Sequence, residues 1–239
     1  MNPDQYSRWC SDVDDLQALF NAYGFNIDND AVQRFYTYEQ ELREWNKKMN
    51  LTRIETSYDI YLKHFLDSLM TMEHYEFSGH RLLDVGSGAG FPSIPLKIVD
   101  PSLEVVIVEA TKKRVNFMRH LLNRLSLDAT VLHVRAENYE KKAHFDYVVA
   151  RAVSRLNILA ELCLPFVIKN GYFIAYKGPA HEEELEEAEH AITTLGGKLE
   201  KVSAYHLEEA ERVLLHIKKV SASPKTYPRN FKHIKSNPL

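Results

Sequence analysis

Leu83-Asp84-Val85-Gly86-Ser87-Gly88-Ala89-Gly90-Phe91-Pro92 closes the first strongly β-rich run of the chain and sets three glycines at alternate positions. Glycine in such a turn lets the backbone approach a ligand closely and take up positive φ at little steric cost. In doubly wound sheets, ligands sit outside the carboxyl ends of the strands, and the turn after the first strand is the natural place for one. The dinucleotide fingerprint, Gly-x-Gly-x-x-Gly, sets a pyrophosphate on a helix N-terminus. Here the pattern is Gly-x-Gly-x-Gly, and Phe91 stands where the dinucleotide pattern wants its third small residue.

Asp84, two residues before Gly86, fits poorly with a pyrophosphate and well with a cation. S-adenosyl-L-methionine, which carries an ammonium and a sulfonium, is such a ligand, and Asp-x-Gly-x-Gly-x-Gly is the first motif of class I methyltransferases. Cofactor contacts are therefore expected around Asp84, Gly86, Gly88, Gly90 and Phe91.

On the C-terminal side of the loop, short β-rich runs alternate with helical stretches. They are RLLDVG, LEVVIVEA, ATVLHV, FDYVVARA, GYFIAYK, KLEKVSAYHL and ERVLLHIKKV, the last two following each other directly. Alternation of β and α means crossover units and a parallel sheet, and the closing pair means an antiparallel edge hairpin. The expected fold is α/β, a Rossmann-like class I methyltransferase sheet of seven strands over residues 79–221. Before it, Val32, Phe35, Tyr36, Leu42, Trp45 and Met49 recur at helical spacing. Tyr61, Phe65 and Leu69 repeat the pattern after a candidate N-cap at Ser57, and a shorter helix is expected from Val13 to Tyr23. Residues 1–78 are thus a helical extension. Residues 222–239, with three Pro and four Lys or Arg, read as an extended basic tail.

The second run places Glu109 at its C-terminal end, 23 residues beyond Gly86. A carboxylate there can accept from both hydroxyls of a bound ribose. Thr111 follows as a candidate N-cap. After the third run come Ala136 and Glu137, where a small residue and an acid suit an adenine with its exocyclic amine.

The fourth run, FDYVVARAVSRL, lacks the Asn/Asp-Pro-Pro-aromatic motif of enzymes that methylate exocyclic amines. Methylation of pyrimidine C5 needs a cysteine nearby, and the nearest, Cys163, reads as a core residue of a helix. A guanine N7 imposes neither demand. Its lone pair is free at neutral pH, so catalysis reduces to positioning and no general base is expected.

With 239 residues, 45% hydrophobic and 26% charged, the chain is an ordinary globular protein in composition. No apolar run reaches the roughly 20 residues a membrane span needs. The N-terminus lacks a signal-peptide core, so a cytoplasmic location is expected. Cys10 and Cys163 are too few for a disulfide framework or a metal site. The net charge of −3 is unevenly spread. Residues 1–30 carry six Asp against Arg8, His181 to His190 carries six Glu, and 212–239 holds seven Lys or Arg with no acid. A local positive surface suffices for RNA. The Glu run reads as a solvated helix face.

WNKKMNLTRI (45–54), YLKHFLDSL (61–69), the glycine loop, RAEN (135–138), ARAVSRL (150–156) and ELCLPFVIKNG (161–171) together resemble the bacterial RsmG family, also called glucose-inhibited division protein B. The resemblance runs from about residue 30 to the C-terminus. It implies methylation of N7 of one guanosine in the 530 loop of 16S ribosomal RNA, with the small subunit or its RNA as partner. It also places cofactor contacts at Gly86, Phe91, Glu109, Ala110, Thr111, Ala136, Glu137 and Arg151.

His64 and Asp67, three apart on one helix face, either face the cofactor cleft and the RNA or dock the helix by a hydrogen bond. Arg155 and Lys177, with Arg151, are candidates to hold phosphates or the base. Asn46, Lys47 and Asn50 are further RNA candidates, and Tyr227 and Phe231 make the tail a possible RNA clamp. No apolar surface stripe demands a dimer, so a monomer is expected. Competing readings are a class I methyltransferase acting on another RNA site, a protein or a small molecule; a dinucleotide-dependent oxidoreductase; and an assembly factor that binds ribosomal RNA without chemistry.

Overall fold

In the first strand, Leu82 and Asp84 face one side of the sheet and Leu83 and Val85 the other, as a two-residue period requires. The same alternation recurs at Val149 against Val148 and Ala150, and at Ile174 against Phe173 and Ala175. Both faces are apolar, so both must be covered by helices.

The computed structural model describes residues 13–151 and 154–239. Its N-terminal elements are α1 (Val13–Ala22), α2 (Asn29–Met49), α3 (Ser57–Ile60), a π-helical segment (Tyr61–Leu66), α4 (Asp67–Leu69) and a 3-10 turn (Met70–Glu73). Then come β1 (Arg81–Val85), α5 (Ser93–Val99), β2 (Glu104–Glu109), α6 (Lys112–Leu125), β3 (Thr130–His133) and β4 (Phe145–Arg151). The chain ends with α7 (Leu156–Cys163), β5 (Val167–Lys177), α8 (His181–Thr194), β6 (Gly197–Leu207), β7 (Ala210–Lys219) and α9 (Phe231–Ser236). Strand order is β3-β2-β1-β4-β5-β7-β6, with β7 antiparallel to both neighbours and the other pairs parallel. The switch in strand order beside β1 opens the crevice at the carboxyl ends of β1 and β4.

All seven expected strands are present. β5 begins four residues before the GYFIAYK run, because Asn170 at φ 71° and Gly171 absorb a register shift against β4. A Cβ on Gly171 would fall 2.5 Å from Asp146 O, which excludes any larger residue.

α2 is capped by Asp28, whose side chain accepts from Ala31 N at 2.7 Å, and ends at Asn50 in the left-handed region. Its buried face is Val32, Phe35, Tyr38 and Leu42; Tyr36, expected there, is only half-buried. At the next helix Thr56, not Ser57, is the N-cap, accepting from Asp59 N at 3.2 Å. Ser57 Oγ instead donates to Glu39 Oε1 at 2.8 Å. A relay of ring contacts, Phe20–Phe35, Phe35–Phe65, Phe65–Tyr38 and Tyr38–Phe91, runs from α1 to the glycine loop. The N-terminal helices and one sheet face therefore share one core, while α7, α8 and α9 cover the other.

Residues 222–239, expected as an extended tail, fold back instead. Ile234 is completely buried, and Arg229 is paired with the fully buried Glu161 of α7. The cations in this segment concealed an apolar anchor and a carboxylate waiting for a partner. Cys163 is buried and its thiol is pushed up by that burial, as suits a core residue. Cys10 lies outside the described residues, as do Ala152 and Val153.

Candidate cofactor and acceptor site

After β1 the chain turns through Gly86 at φ 74° and Gly88 at φ 64°. Gly86 N donates to Val108 O at 2.9 Å, so strand pairing continues into the loop. A Cβ at Gly88 would meet nothing within 4 Å, which leaves an open cradle beside the backbone. Gly90 is bare for another reason. At φ 103°, its Cβ would fall 2.5 Å from Ile94 Cδ1 and 2.7 Å from Tyr38 Oη. Tyr38 needs that approach to donate to Ala89 O at 2.6 Å. Gly90 lines neither cavity described below, so its place is in the docking of α2.

Asp84 lies beneath the loop, fully buried. Its Oδ2 accepts from Ser93 N at 3.1 Å, while Oδ1 has no hydrogen-bond partner among the described residues. Burial pushes its carboxyl up to about 7. A cation entering the cleft above would favour the ionised form, so this orphaned oxygen fits a cationic cofactor.

Two cavities meet at Gly86. The smaller, about 520 Å³, is lined by Glu109, Ala110, Thr111, Ala136 and Glu137 from the ends of β2 and β3, together with Leu162 of α7 and Phe231 of α9. Glu109 Oε2 accepts from Gly88 N at 3.2 Å and Oε1 from Thr111 N at 2.8 Å. Thr111 holds the N-cap position of α6, but its side chain makes no capping bond. A carboxylate has about four lone-pair sites, so Glu109 keeps acceptors for further donors.

The larger cavity, about 730 Å³, is lined by Gly86, Ser87, Gly88, Phe91, His64, Asp67, Arg151, Arg155 and Lys177 among others. Arg151, at the end of β4, donates from Nη1 to Asp67 Oδ2 at 2.8 Å and to His64 O at 3.2 Å. Its guanidinium lies 4.8 Å from the Phe91 ring centroid, and the His64 ring stacks on Phe91 at 4.4 Å. The carbonyl it reaches belongs to the π-helical segment, where widened winding is a common mark of a functional site. Tyr205 Oη donates to Asp67 Oδ1 at 2.7 Å. Burial, then Arg151, pushes His64 down to about 3, so it is neutral at physiological pH. Phe91 is itself 5% exposed, with most of its ring already covered by Tyr38, His64 and Arg151.

The other two expected cations are paired with the Glu-rich helix. Lys177 Nζ lies 2.5 Å from Glu184 Oε2 and 2.9 Å from Ser154 O, and Arg155 Nη2 lies 2.6 Å from Glu187 Oε1. The solvated-face reading of α8 holds for Glu182, Glu183, Glu186 and Glu189, which are exposed, but not for Glu184. Asn46 is engaged too, donating to Thr52 O and accepting from Thr52 N, both at 2.9 Å. It shapes the 50–52 loop.

Sequence reasoning missed Tyr38, Tyr205, Glu184 and the place of Phe231 in the smaller cavity. Tyr38 carried one usable signal, its place on the Phe35–Leu42 face; the others lacked any local mark.

With this geometry in place, likeness to known proteins decides the family. Residues 31–214 match the model of the GidB family, rRNA small subunit methyltransferase G. The chain belongs to this family. It is 47% identical over 225 residues to ribosomal RNA small subunit methyltransferase G of Bacillus cytotoxicus, covering 91% of this chain and 94% of that protein. The corresponding Bacillus cereus protein is 45% identical over the same shares. Among solved structures, the fold resembles M. jannaschii TYW2 in complex with AdoMet, at TM-score 0.56, 14% identity, and coverage of 66% and 76%. It also resembles magnesium protoporphyrin IX methyltransferase from Synechocystis with bound SAM, at TM-score 0.56, 12% identity, and coverage of 76% and 97%. The class I methyltransferase fold is thereby shown. Among the described residues no helix is long and apolar enough to cross a membrane, and no group of three or more His, Cys, Asp or Glu is placed to hold a metal.

Proposed function

We propose that this protein transfers a methyl group from S-adenosyl-L-methionine to N7 of one guanosine in the 530 loop of 16S ribosomal RNA. The observation that supports it most is the junction of two cavities at Gly86, in a member of an rRNA methyltransferase family. Residues 79–221 carry the transferase, and the part before residue 79, described from Val13 onward, is its helical extension. It acts in the cytoplasm as a monomer.

In this reading Glu109 accepts from the ribose hydroxyls, and Ala110, Thr111, Ala136 and Glu137 frame the adenine. Gly86 and Gly88 let the methionine half approach the backbone, with Asp84 balancing its positive charge from below. When bound, S-adenosyl-L-methionine supplies an electrophilic methyl on a sulfonium, which guanine N7 can accept without a base. The chain's task is then orientation. Arg151, held by Asp67 and His64 O, is a fixed donor at the cleft wall, and neutral His64 offers no acidic proton to compete for N7. Asp67 and Glu184 line the same cavity, each already paired with a cation, Arg151 and Lys177, which they hold in place.

A third cavity adjoins the larger one through Leu51, Thr52 and Arg114 and is lined by Arg43, Lys47 and Arg53. It offers a path for RNA phosphates.

The test is methyl transfer from labelled S-adenosyl-L-methionine to small subunits lacking the modification, followed by borohydride–aniline cleavage. Incorporation at one guanine of the 530 loop is expected. Incorporation elsewhere, or none with cofactor binding intact, would reject this target.

A further inference from the structure

We infer that the C-terminal segment is a working wall of the cofactor site, in which Phe231 packs against the adenine and the Arg229–Glu161 pair holds that ring in place. This rests on the reading of the smaller cavity as the adenosine site. Phe231 and Arg229 lie beyond the span matched by the family model, which ends at residue 214, while Glu161 and Arg135, which they meet, lie within it.

Phe231 lines the same cavity as Glu109, Ala136 and Glu137, although it follows them by almost a hundred residues or more in the chain. Unlike Ile234, which is completely buried, Phe231 is only half-buried. The two residues divide the work: Ile234 anchors α9 in the core, and Phe231 faces the cavity.

The segment is fastened on both sides of this ring. Arg229 donates from Nη2 to Glu161 Oε2 at 2.6 Å and from Nε to Oε1 at 2.9 Å, and its backbone N donates to Oε1 at 2.8 Å. Glu161 is wholly buried and the Arg229 side chain only 17% exposed, so this forked, charge-assisted pair is largely shielded from water. Lys142 Nζ donates to Tyr227 O at 2.6 Å, and Asn230 caps α9 through Lys232 N at 3.0 Å. Phe231 thus sits between anchors at 229 and 234 and has little freedom to swing away.

Its ring also interacts with Arg135, whose guanidinium carbon lies 5.7 Å from the centroid. Arg135 immediately precedes Ala136, so the pair ties the tail to the turn expected to meet the adenine. The rest of the lining combines aliphatic side chains, Val85, Val108, Val134 and Leu162, with carboxylates, arginines and small residues, and none of these presents a flat ring. A purine gains from an aromatic neighbour, and Phe231 is the one aromatic side chain lining this cavity among the described residues.

The experiment uses the full chain with S-adenosylhomocysteine as probe. Phe231→Ala is expected to weaken its binding roughly three- to tenfold, the loss of one aromatic contact. The KM for S-adenosyl-L-methionine should rise in step, with kcat at saturation within about twofold. Phe231→Leu, which keeps the packing volume, should fall between. Glu161→Gln, which loosens the anchor, should shift affinity in the same direction. After subtraction of the signal of the unaltered protein, which carries Trp9 and Trp45, the added indole emission of the Phe231→Trp variant should be saturably quenched by S-adenosylhomocysteine. Two results would overturn the inference while leaving the site intact. One is a lowered melting temperature with unchanged affinity in Phe231→Ala and Phe231→Leu; the other is emission from the Phe231→Trp variant that does not respond to the probe. Failure of the unaltered protein to bind S-adenosylhomocysteine would instead reject the site itself.

Discussion

Arg151 and Asp67, 84 residues apart in sequence, meet at 2.8 Å with side-chain exposures of only 12% and 6%. This pair bolts the helical extension to the end of β4, directly beside the larger cavity. Removing one partner of a buried pair strands the other charge, at a cost of about 3–5 kcal/mol. Arg151→Ala is therefore expected to lower both stability and turnover. Asp67→Asn combined with Arg151→Ala should cost clearly less than the two single changes summed. Urea denaturation of the four proteins in the cycle measures this, and strict additivity would show that the pair is not coupled.

The three glycines of the loop should respond differently to substitution. Gly90→Ala puts a methyl into Ile94 and Tyr38 and should unfold or severely destabilise the protein. Gly88→Ala meets no atoms, so its cost is the left-handed backbone alone, about 1 kcal/mol, while cofactor affinity falls. Gly86→Asp should abolish cofactor binding by filling the cleft. Thermal melting and calorimetric titration separate these outcomes; normal binding by Gly86→Asp would move the site elsewhere.

Asp84 carries a pH dependence of known sign. Its carboxyl is raised from an ordinary 3.8 to about 7 by burial, so the folded state holds this proton more tightly than the unfolded one. The contribution is fully present below about pH 4 and is lost as pH rises through 7. Asp84→Asn should be more stable than the parent at about pH 8, with the gap closing towards pH 4, and should bind the cofactor more weakly. Equal melting temperatures at the alkaline end would contradict the burial.

His64 acts in the opposite direction. Its folded value of about 3 lies below the ordinary 6.5, so the unfolded chain takes up the proton first. Stability from this residue is present above pH 6.5 and falls as pH drops towards 3, by about 2 kcal/mol over the first one and a half pH units. His216, held near 4 by burial beside His74 and Lys201, adds to the same slope. His64→Phe should flatten the acid limb of the stability curve. An unchanged limb would mean that His64 is not kept neutral.

Arg53 lines the cavity next to the larger one and is exposed. Arg53→Ala should weaken binding of 16S RNA and reduce the slope of log affinity against log salt by about 1. Binding of S-adenosylhomocysteine should not change. An unaltered salt slope would remove Arg53 from the RNA path.

Much of the sheet domain was legible because its signals are local. The strands show through a two-residue apolar alternation, and the glycine loop shows through backbone conformations that only glycine takes up readily. Glu109, Ala136 and Glu137 were legible because Glu109 ends a strand and the other two follow closely on one, and strand ends define one edge of the sheet. The N-terminal helices were legible as helices, but not as part of the same core. Nothing in the Phe35–Tyr38–Leu42 spacing says that Tyr38 will reach Ala89 O.

What the sequence alone determined is the element order, the glycine turn and the family, each fixed by residues close together in the chain. The tertiary structure decided who neutralises whom. Arg151 chose Asp67, Lys177 chose Glu184, Arg155 chose Glu187 and Arg229 chose Glu161, at separations from 7 to 84 residues. A charge attracts any opposite charge, so composition leaves many partners possible. Burial selects Asp67, Glu184 and Glu161, because an ion pair out of water persists only where geometry and desolvation are both satisfied, whereas Arg155–Glu187 stays exposed. The same selection folded a basic tail back onto α7, where Glu161 and the core received it.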